Sequence, residues 1–75
     1  MRNQSLIRQW QLLKLLAKKP ATPQELSSHF TESPRTIYRD IEALKKVGFP
    51  IKTTRVEAGS FYYLDIKLLK LILDD

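Results

Sequence analysis

The sequence predicts a small, mainly α domain with one β-hairpin, and three observations indicate it. Two helix-start signals follow one another closely, "TPQE" at residues 22–25 and "SP" at residues 33–34. Gly48 then ends the helical periodicity, since glycine readily adopts the left-handed conformation that closes helices. Beyond it, β-branched and aromatic residues dominate "PIKTTRV" and "FYYLD". At 75 residues, the chain can bury one modest core.

The first helix is predicted from about Ser5 to Lys18, and Pro20 ends it. At about 100° per residue, one apolar stripe of this helix is expected to face the core. Its members are Leu6, Trp10, Leu13 and Ala17. Leu12 and Leu15 fall well off that stripe, so the helix is apolar over more than half of its circumference. We therefore expect Trp10 to lie in the core.

The second helix begins at a capping box. Thr22 is a good N-cap, Pro23 suits the first helical position, and Glu25 completes the Thr-x-x-Glu pattern. Leu26 and Phe30 then form an apolar pair spaced by one turn, which is expected to face the core. A short turn follows this helix.

The third helix repeats these start signals, with Ser33 as N-cap and Pro34 as the first helical residue. It is predicted to continue to Val47. Its buried stripe is expected to contain Ile37, Ile41 and Leu44. The opposite face carries Arg35, Arg39, Glu42 and Lys46, flanked by Thr36 and Tyr38. The third helix therefore has one apolar side and one side rich in guanidinium groups.

The remaining chain predicts a hairpin over residues 51–64 and a short helix after it. Gly59 in "EAGS" can supply the positive φ of a hairpin turn. Asp65 is a candidate N-cap for the leucine-rich "IKLLKLILDD". Helix, helix, turn, helix and hairpin is the element order of a winged helix-turn-helix. We assign this domain to residues 1–64 and a separate packing or dimerisation helix to residues 65–75.

The basic residues are concentrated in one third of the chain. Residues 33–56 contain six Lys or Arg and two Asp or Glu, so this segment holds +4 of the total charge of +5. Such clustering is typical of a surface that binds a polyanion. A B-DNA major groove about 12 Å wide admits one α-helix, and arginine matches the acceptor pair of guanine. The sequence therefore predicts double-stranded DNA binding, with helix 34–47 in the major groove and wing 51–64 assisting.

The candidate DNA-binding residues come from both capped helix starts, the outward face of the third helix, and the wing. Arg35 and Arg39 lie one turn apart, Thr36 and Tyr38 can add smaller contacts, and free N–H groups at helix starts suit phosphate oxygens. In chain order the candidates are Thr22, Gln24, Ser33, Pro34, Arg35, Thr36, Tyr38, Arg39, Lys46, Lys52 and Arg55.

Other classes of function are poorly supported. The chain has no cysteine and one histidine, His29, so we expect neither a disulfide nor a metal site. No catalytic motif or phosphate-binding glycine loop is present, so we expect no catalytic residue and no cofactor. The N-terminus lacks the apolar core of a signal peptide, and the longest apolar stretch is too short for a membrane span. These observations predict a soluble, cytoplasmic protein that is not an enzyme.

The segment "TPQELSSHFTESPRTIYRDIEALKKVGFPI" resembles the N-terminal winged helix-turn-helix of DeoR-like and WYL-domain bacterial transcription regulators. The matching positions are Ser33, Arg35, Thr36, Ile37, Arg39, Asp40, Ile41, Leu44, Gly48, Pro50 and Ile51. The resemblance covers roughly residues 5–64 and implies a DNA-binding transcription regulator. It departs in the wing turn, where only Gly59 remains. The large ligand-sensing domain that follows in such regulators has no counterpart up to Asp75.

Three alternatives stay open. The two arginines can be a solvated face, with Arg39 paired to Glu42 or Glu32. The leucine-rich helix can pack on the first helix over Leu12 and Leu15, or form the seam of a homodimer on a two-fold DNA site. The whole domain can instead be a protein-interaction module, either a small antagonist or a docking domain of a larger regulator. That alternative predicts that Arg35 and Arg39 are dispensable.

Overall fold

The computed structural model describes residues 4–57 and 59–74, with Gln4 described by its backbone alone. Its elements are α1 (Gln4–Lys18), α2 (Pro23–Phe30), α3 (Pro34–Val47), β1 (Ile51–Val56), β2 (Gly59–Leu64) and α4 (Ile66–Leu73). The fold is a winged helix-turn-helix, as the element order predicts: three helices, a two-stranded antiparallel hairpin and a short C-terminal helix.

The predicted helix caps are confirmed. The Thr22 hydroxyl accepts the N–H of Glu25 at 3.1 Å, and the Glu25 carboxylate accepts the N–H of Thr22 at 2.9 Å. This reciprocal pair satisfies two of the N–H groups that a helix start leaves without partners. At the end of α3, Gly48 has a φ of 119° and closes the helix. Asp65 caps α4, accepting the N–H of Leu68 at 3.0 Å.

The turn between α2 and α3 is held by its own backbone. Thr31 ends α2 in the left-handed conformation, with a φ of 55° that β-branched residues rarely adopt. The N–H of Glu32 donates to the carbonyl of Ser27 at 3.0 Å, and the Ser27 hydroxyl donates to the carbonyl of Glu32. These bonds satisfy helix-end groups and fix the angle at which α3 leaves α2.

The wing is an antiparallel hairpin whose second strand also pairs with the α1–α2 connection. In the hairpin register, Ile51 lies opposite Leu64 and Val56 lies opposite Gly59. Ala21 and Tyr62 exchange two backbone hydrogen bonds of 2.9 and 2.8 Å, which ties β2 to the body of the domain. Gly59 has a φ of 133°, as the turn requires, whereas Ala58 lies outside the described residues.

One apolar core joins the three helices to the base of the hairpin. Its buried members are Leu12, Leu13, Leu16, Ala21, Leu26, Ile37, Ile41, Leu44, Ile51 and Leu64. The apolar stripes predicted for α2 and α3 are confirmed, since Leu26, Ile37, Ile41 and Leu44 are buried and Phe30 packs against this core.

The stripe predicted for α1 is wrong. Trp10 is 59% exposed and Leu6 is exposed too, whereas Leu12 is fully buried. The buried face is centred on Leu12 and Leu16, which lie one turn apart, and it includes Leu13. A helix that is apolar around most of its circumference offers two possible inner faces, and residue spacing alone does not choose between them.

α4 follows the hairpin directly but buries none of its own residues. The N–H of Asp65 donates to the carbonyl of Pro50 at 2.9 Å, which fixes the start of α4 beside the end of α3. Only Leu69 packs partly against the core, while Leu71 and Leu73 are 69% and 73% exposed. Leu12 is fully buried, although α4 contributes only the partly buried Leu69 to the core.

Across residues 4–57 and 59–74, no helix has both the length and the apolar character needed to cross a membrane.

Candidate nucleic-acid interface

The outward face of α3 gathers four of the predicted site residues around one shallow, open depression. Arg35, Tyr38, Arg39 and Lys46 line it together with Glu42 and Ala43. These positions recur every three or four residues, so a single helix face presents all of them. The opposite face of α3 is buried in the core, which leaves the depression side to meet a partner.

The two arginines on this face have no ion pair within the part of the chain that the structure describes. The two carboxylates considered as partners of Arg39 pair with other cations. Glu42 pairs with Lys45 at 3.8 Å, and Glu32 pairs with Arg8 at 3.5 Å. Both arginines are exposed, so their charges and their forked donors are available to an anionic ligand.

The first turns of α2 and α3 each present an unpartnered backbone N–H. Proline occupies the first position of both helices and has no N–H, while the third N–H is bound by the capping hydroxyl of Thr22 or Ser33. The N–H groups of Gln24 and Arg35 remain, and no acceptor for either lies within residues 4–57 and 59–74. Helix starts of this kind bind phosphate oxygens well, because the N–H groups and the helix dipole both favour negative charge.

Other predicted residues at these helix starts already make hydrogen bonds within the chain. Thr22 is half-buried in its capping box, and Ser33 lies 3.2 Å from the hydroxyl of Thr36. The main role of the Thr22 and Ser33 hydroxyls is therefore to cap α2 and α3. Pro34 is exposed at the tip of α3, where it can make only apolar contact.

The structure does not bring the two wing cations together. Side chains alternate along a strand, so Lys52 and Arg55 point to opposite faces of the hairpin. Arg55 shares its face with Tyr62, whose cross-strand partner is Thr53. Tyr62 contacts α3, so Arg55 lies on the hairpin face that is turned toward α3. Lys52 lies on the other face of the hairpin.

Tyr62 connects the wing to the outward face of α3. Its ring meets Tyr38 edge to face, with ring centroids 6.3 Å apart and an interplanar angle of 88°. Burial raises the pKa of Tyr62, and the nearby Tyr38 and Glu42 raise it further. The aromatic contact therefore joins the wing to α3, while the backbone pairing of Tyr62 with Ala21 joins the wing to the α1–α2 connection.

On the inner side of α3, Asp40 is bound by two residues of α1. The Arg8 guanidinium grips both carboxylate oxygens, through Nε to Oδ2 and through an Nη atom to Oδ1 at 3.1 Å. The Gln9 amide donates to Oδ1 at 3.1 Å, and a second Nη atom of Arg8 reaches Glu32 at 3.5 Å. We call Arg8, Gln9, Glu32 and Asp40 the clasp. The hydrogen bond to Asp40 raises the pKa of Arg8.

Sequence reasoning did not identify Arg8 as the partner of Asp40. A signal was present, since Arg8 interrupts an apolar helix and lies one turn before the buried Leu12. Neither Tyr62 nor Ala21 was singled out for its pairing, because a single bridge outside the hairpin has no periodic signature. His29 contacts Phe30 edge to face, and no metal-binding cluster exists within the described residues.

Comparison with known proteins agrees with this geometry. A family model described as "HTH domain" matches residues 8–59, which is more than half of the chain. The chain belongs to this family. The matched segment of the HTH domain runs from the clasp arginine on α1 to the first residue of β2.

A bacterial relative shares part of the HTH domain. Over 45 residues the chain is 44% identical to the uncharacterized HTH-type transcriptional regulator YobV of Bacillus subtilis (strain 168). The match covers 60% of this chain but 14% of YobV, so the chain spans a small fraction of that relative's length. No solved structure matches the chain.

Proposed function

We propose that this HTH domain binds double-stranded DNA sequence-specifically as part of a transcription regulator. In this proposal, α3 lies in the major groove, and Arg35 and Arg39 contact base edges or phosphates. The starts of α2 and α3 bind the backbone, with Arg55 and Lys52 assisting from the wing. The HTH family and the description of YobV as an HTH-type transcriptional regulator support DNA-linked regulation as the general role.

The observation that carries this proposal is the pair of exposed, unpaired arginines on the outward face of α3. Glu42 and Glu32, the two carboxylates considered as partners of Arg39, are instead bound to other cations, so Arg39 stays available to an anionic ligand. The unpartnered N–H of Arg35 at the start of the same helix adds a second kind of anion donor. Phosphate contacts of this kind position a helix on DNA, and base contacts then give specificity.

We also infer that the chain is similar in role to DeoR-like and WYL-associated regulators. The "SPRTIYRDI" motif supports this, because Arg35 and Arg39 are exposed on α3 while Ile37, Asp40 and Ile41 are buried. The motif thus combines exposed residues that can contact a ligand with buried residues that pack α3 against the domain. A cytoplasmic location and a non-enzymatic role accompany this proposal.

The decisive test is Arg39→Ala, with Lys14→Ala as the control that removes an exposed charge from α1. A random-library duplex first yields a preferred site, and fluorescence anisotropy then measures binding at several salt concentrations. Arg39→Ala should weaken specific binding at least about five-fold, as expected for the loss of one good base contact. If Arg39 contacts phosphate, the log–log salt slope should also fall by about 0.9.

The control keeps this test specific to α3. Lys14→Ala should change specific binding and salt slope much less, although both variants lose one positive charge. Circular dichroism should show both variants folded, since both residues are exposed. Equal loss of binding in the two variants would contradict the role of α3 and indicate a diffuse electrostatic attraction.

We further propose that residues 65–75 form a homodimer seam separate from the DNA-binding unit of residues 1–64. The exposed Leu71 and Leu73 support this, because large apolar patches on small proteins commonly mark interfaces. Leu73→Glu should lower the dimer fraction in sedimentation-velocity runs and leave the monomer folded. A wild-type chain that stays monomeric and binds no DNA would favour the protein-interaction module instead.

A further inference from the structure

We propose that the clasp is a positioning device: by fixing the rotation of α3, it sets how well the domain discriminates one DNA sequence from another. This inference rests on the proposed DNA binding and concerns residues that do not themselves touch DNA. Arg8 and Gln9 act through Asp40, which lies next to Arg39 in the chain but on the inner side of α3.

The apolar contacts of α3 resist rotation only weakly. Ile37, Ile41 and Leu44 are buried, but hydrophobic attraction is non-directional and roughly proportional to area. A small rotation of the helix can preserve most of that buried area. The clasp differs, because a planar guanidinium that grips both oxygens of a carboxylate fixes an angle as well as a distance.

Base contacts require the side chains on the outward face of α3 to be placed precisely. Side-chain tips lie about 6 Å from the axis of an α-helix, so a rotation of roughly 20° moves them by about 2 Å. A hydrogen bond tolerates a donor–acceptor range of only about 0.5 Å. A rotation of this size therefore suffices to remove Arg39 or Arg35 from a base edge. Phosphate contacts made by long, flexible side chains suffer less.

The position of the clasp fits this role. The Asp40 side chain is only 5% exposed and accepts three hydrogen bonds from α1. The Arg8 side chain is 16% exposed and also reaches Glu32, in the turn that precedes α3. One guanidinium thus ties α1 both to α3 and to the turn from which α3 starts. Buried ion pairs often add little stability compared with apolar replacements, so their main gain can be a unique geometry.

The test is the double variant Arg8→Met with Asp40→Leu in the full chain. It replaces the ion pair by apolar side chains and leaves the net charge unchanged, so non-specific attraction to DNA should stay the same. Glu32 stays hydrated, since its side chain is 39% exposed. We expect cooperative thermal unfolding and unchanged affinity for a scrambled duplex. The ratio of specific to scrambled affinity should fall about ten-fold, the size of one lost base contact.

Two further variants separate positioning from general destabilisation. Leu12→Met loosens the core next to the clasp without removing a directional contact, so its affinity ratio should match the wild type. Arg8→Lys keeps the charge but loses the fork, so its ratio should fall while the chain stays folded. If the double variant does not fold, Arg8→Lys alone tests the positioning role of the clasp.

A folded double variant, or a folded Arg8→Lys variant, that keeps the wild-type ratio would overturn the positioning role. Failure of the proposed function has a different signature, namely a wild-type chain that binds no duplex or does not discriminate between duplexes. The two failures are therefore distinguishable in the same titrations.

Discussion

α3 buries three aliphatic side chains, Ile37, Ile41 and Leu44, whereas α4 buries none of its own. In α3, Ile37 and Ile41 lie in the core, and the outward face carries arginine and lysine. In α4, no residue is buried, although six of its eight residues are leucine or isoleucine. Apolar content therefore does not decide burial in this molecule. The burial of a side chain depends on which elements surround its helix. α3 is covered by other elements of the same domain.

This difference separates two roles. α3 is held by core contacts on one side and by the clasp at Asp40, so its outer face is presented in one orientation. α4 is attached at its start by Asp65 and touches the core through Leu69, while the side chains further along are available to a partner. α3 has the fixed geometry that the proposed sequence readout needs, and α4 has the apolar surface that the proposed dimerisation needs.

The largest expected effect tests this comparison directly. Ile41→Ala should lower the free energy of unfolding by about 3 kcal/mol, because it empties a fully packed site. Leu71→Ala, on the exposed side of α4, should change it by less than about 0.5 kcal/mol in the monomer. Urea unfolding at low protein concentration measures both. A cost above 1 kcal/mol for Leu71→Ala would mean that α4 is buried in solution.

The second contrast lies between the two ion pairs of α3. Arg8→Met should cost about 3 kcal/mol, since it leaves the Asp40 carboxylate buried without its charged partner. Lys45→Met breaks the surface pair with Glu42, where both side chains stay hydrated, and should cost less than about 1 kcal/mol. Urea unfolding at two salt concentrations compares them. Equal costs would show that water penetrates the clasp.

The sequence allowed the whole element order to be predicted, because the signals are local. The Thr22 and Ser33 caps, the Gly48 end and the change of periodicity after it depend on neighbours within a few residues. The burial of α1 was not predictable in this way. Leu6 and Trp10 are as apolar as Leu12 and Leu16, and only the packing of β2 and α3 decides which pair is buried.

The candidate site likewise contains features that could be predicted from local spacing and features that could not. Arg35 and Arg39 could be placed on one face by spacing alone, because both lie on a single helix. The clasp joins residues separated by 32 positions, and the contact of Tyr38 with Tyr62 joins a helix to a strand. Contacts of this range depend on how the elements pack and leave no periodic pattern. Alternation along a strand, in contrast, could have shown that Lys52 and Arg55 point to opposite faces.

The smallest expected effect concerns the contact between α3 and the wing. Since burial raises the pKa of Tyr62 above its unfolded value of 10.0, the folded chain keeps this hydroxyl protonated at a pH where the unfolded chain ionises it. The stability linked to Tyr62 is therefore complete below pH 10 and decreases as the pH rises through the folded pKa. Tyr62→Phe removes that ionisation and should flatten the loss of stability above pH 10.

The difference between wild type and Tyr62→Phe isolates this hydroxyl, because the two chains are otherwise identical. Urea unfolding in steps from pH 8.5 to about pH 11 measures it. The two curves should run parallel at the lower end, and the wild type should fall more steeply at the upper end. Parallel curves throughout would mean that the Tyr62 hydroxyl is equally hydrated in both states.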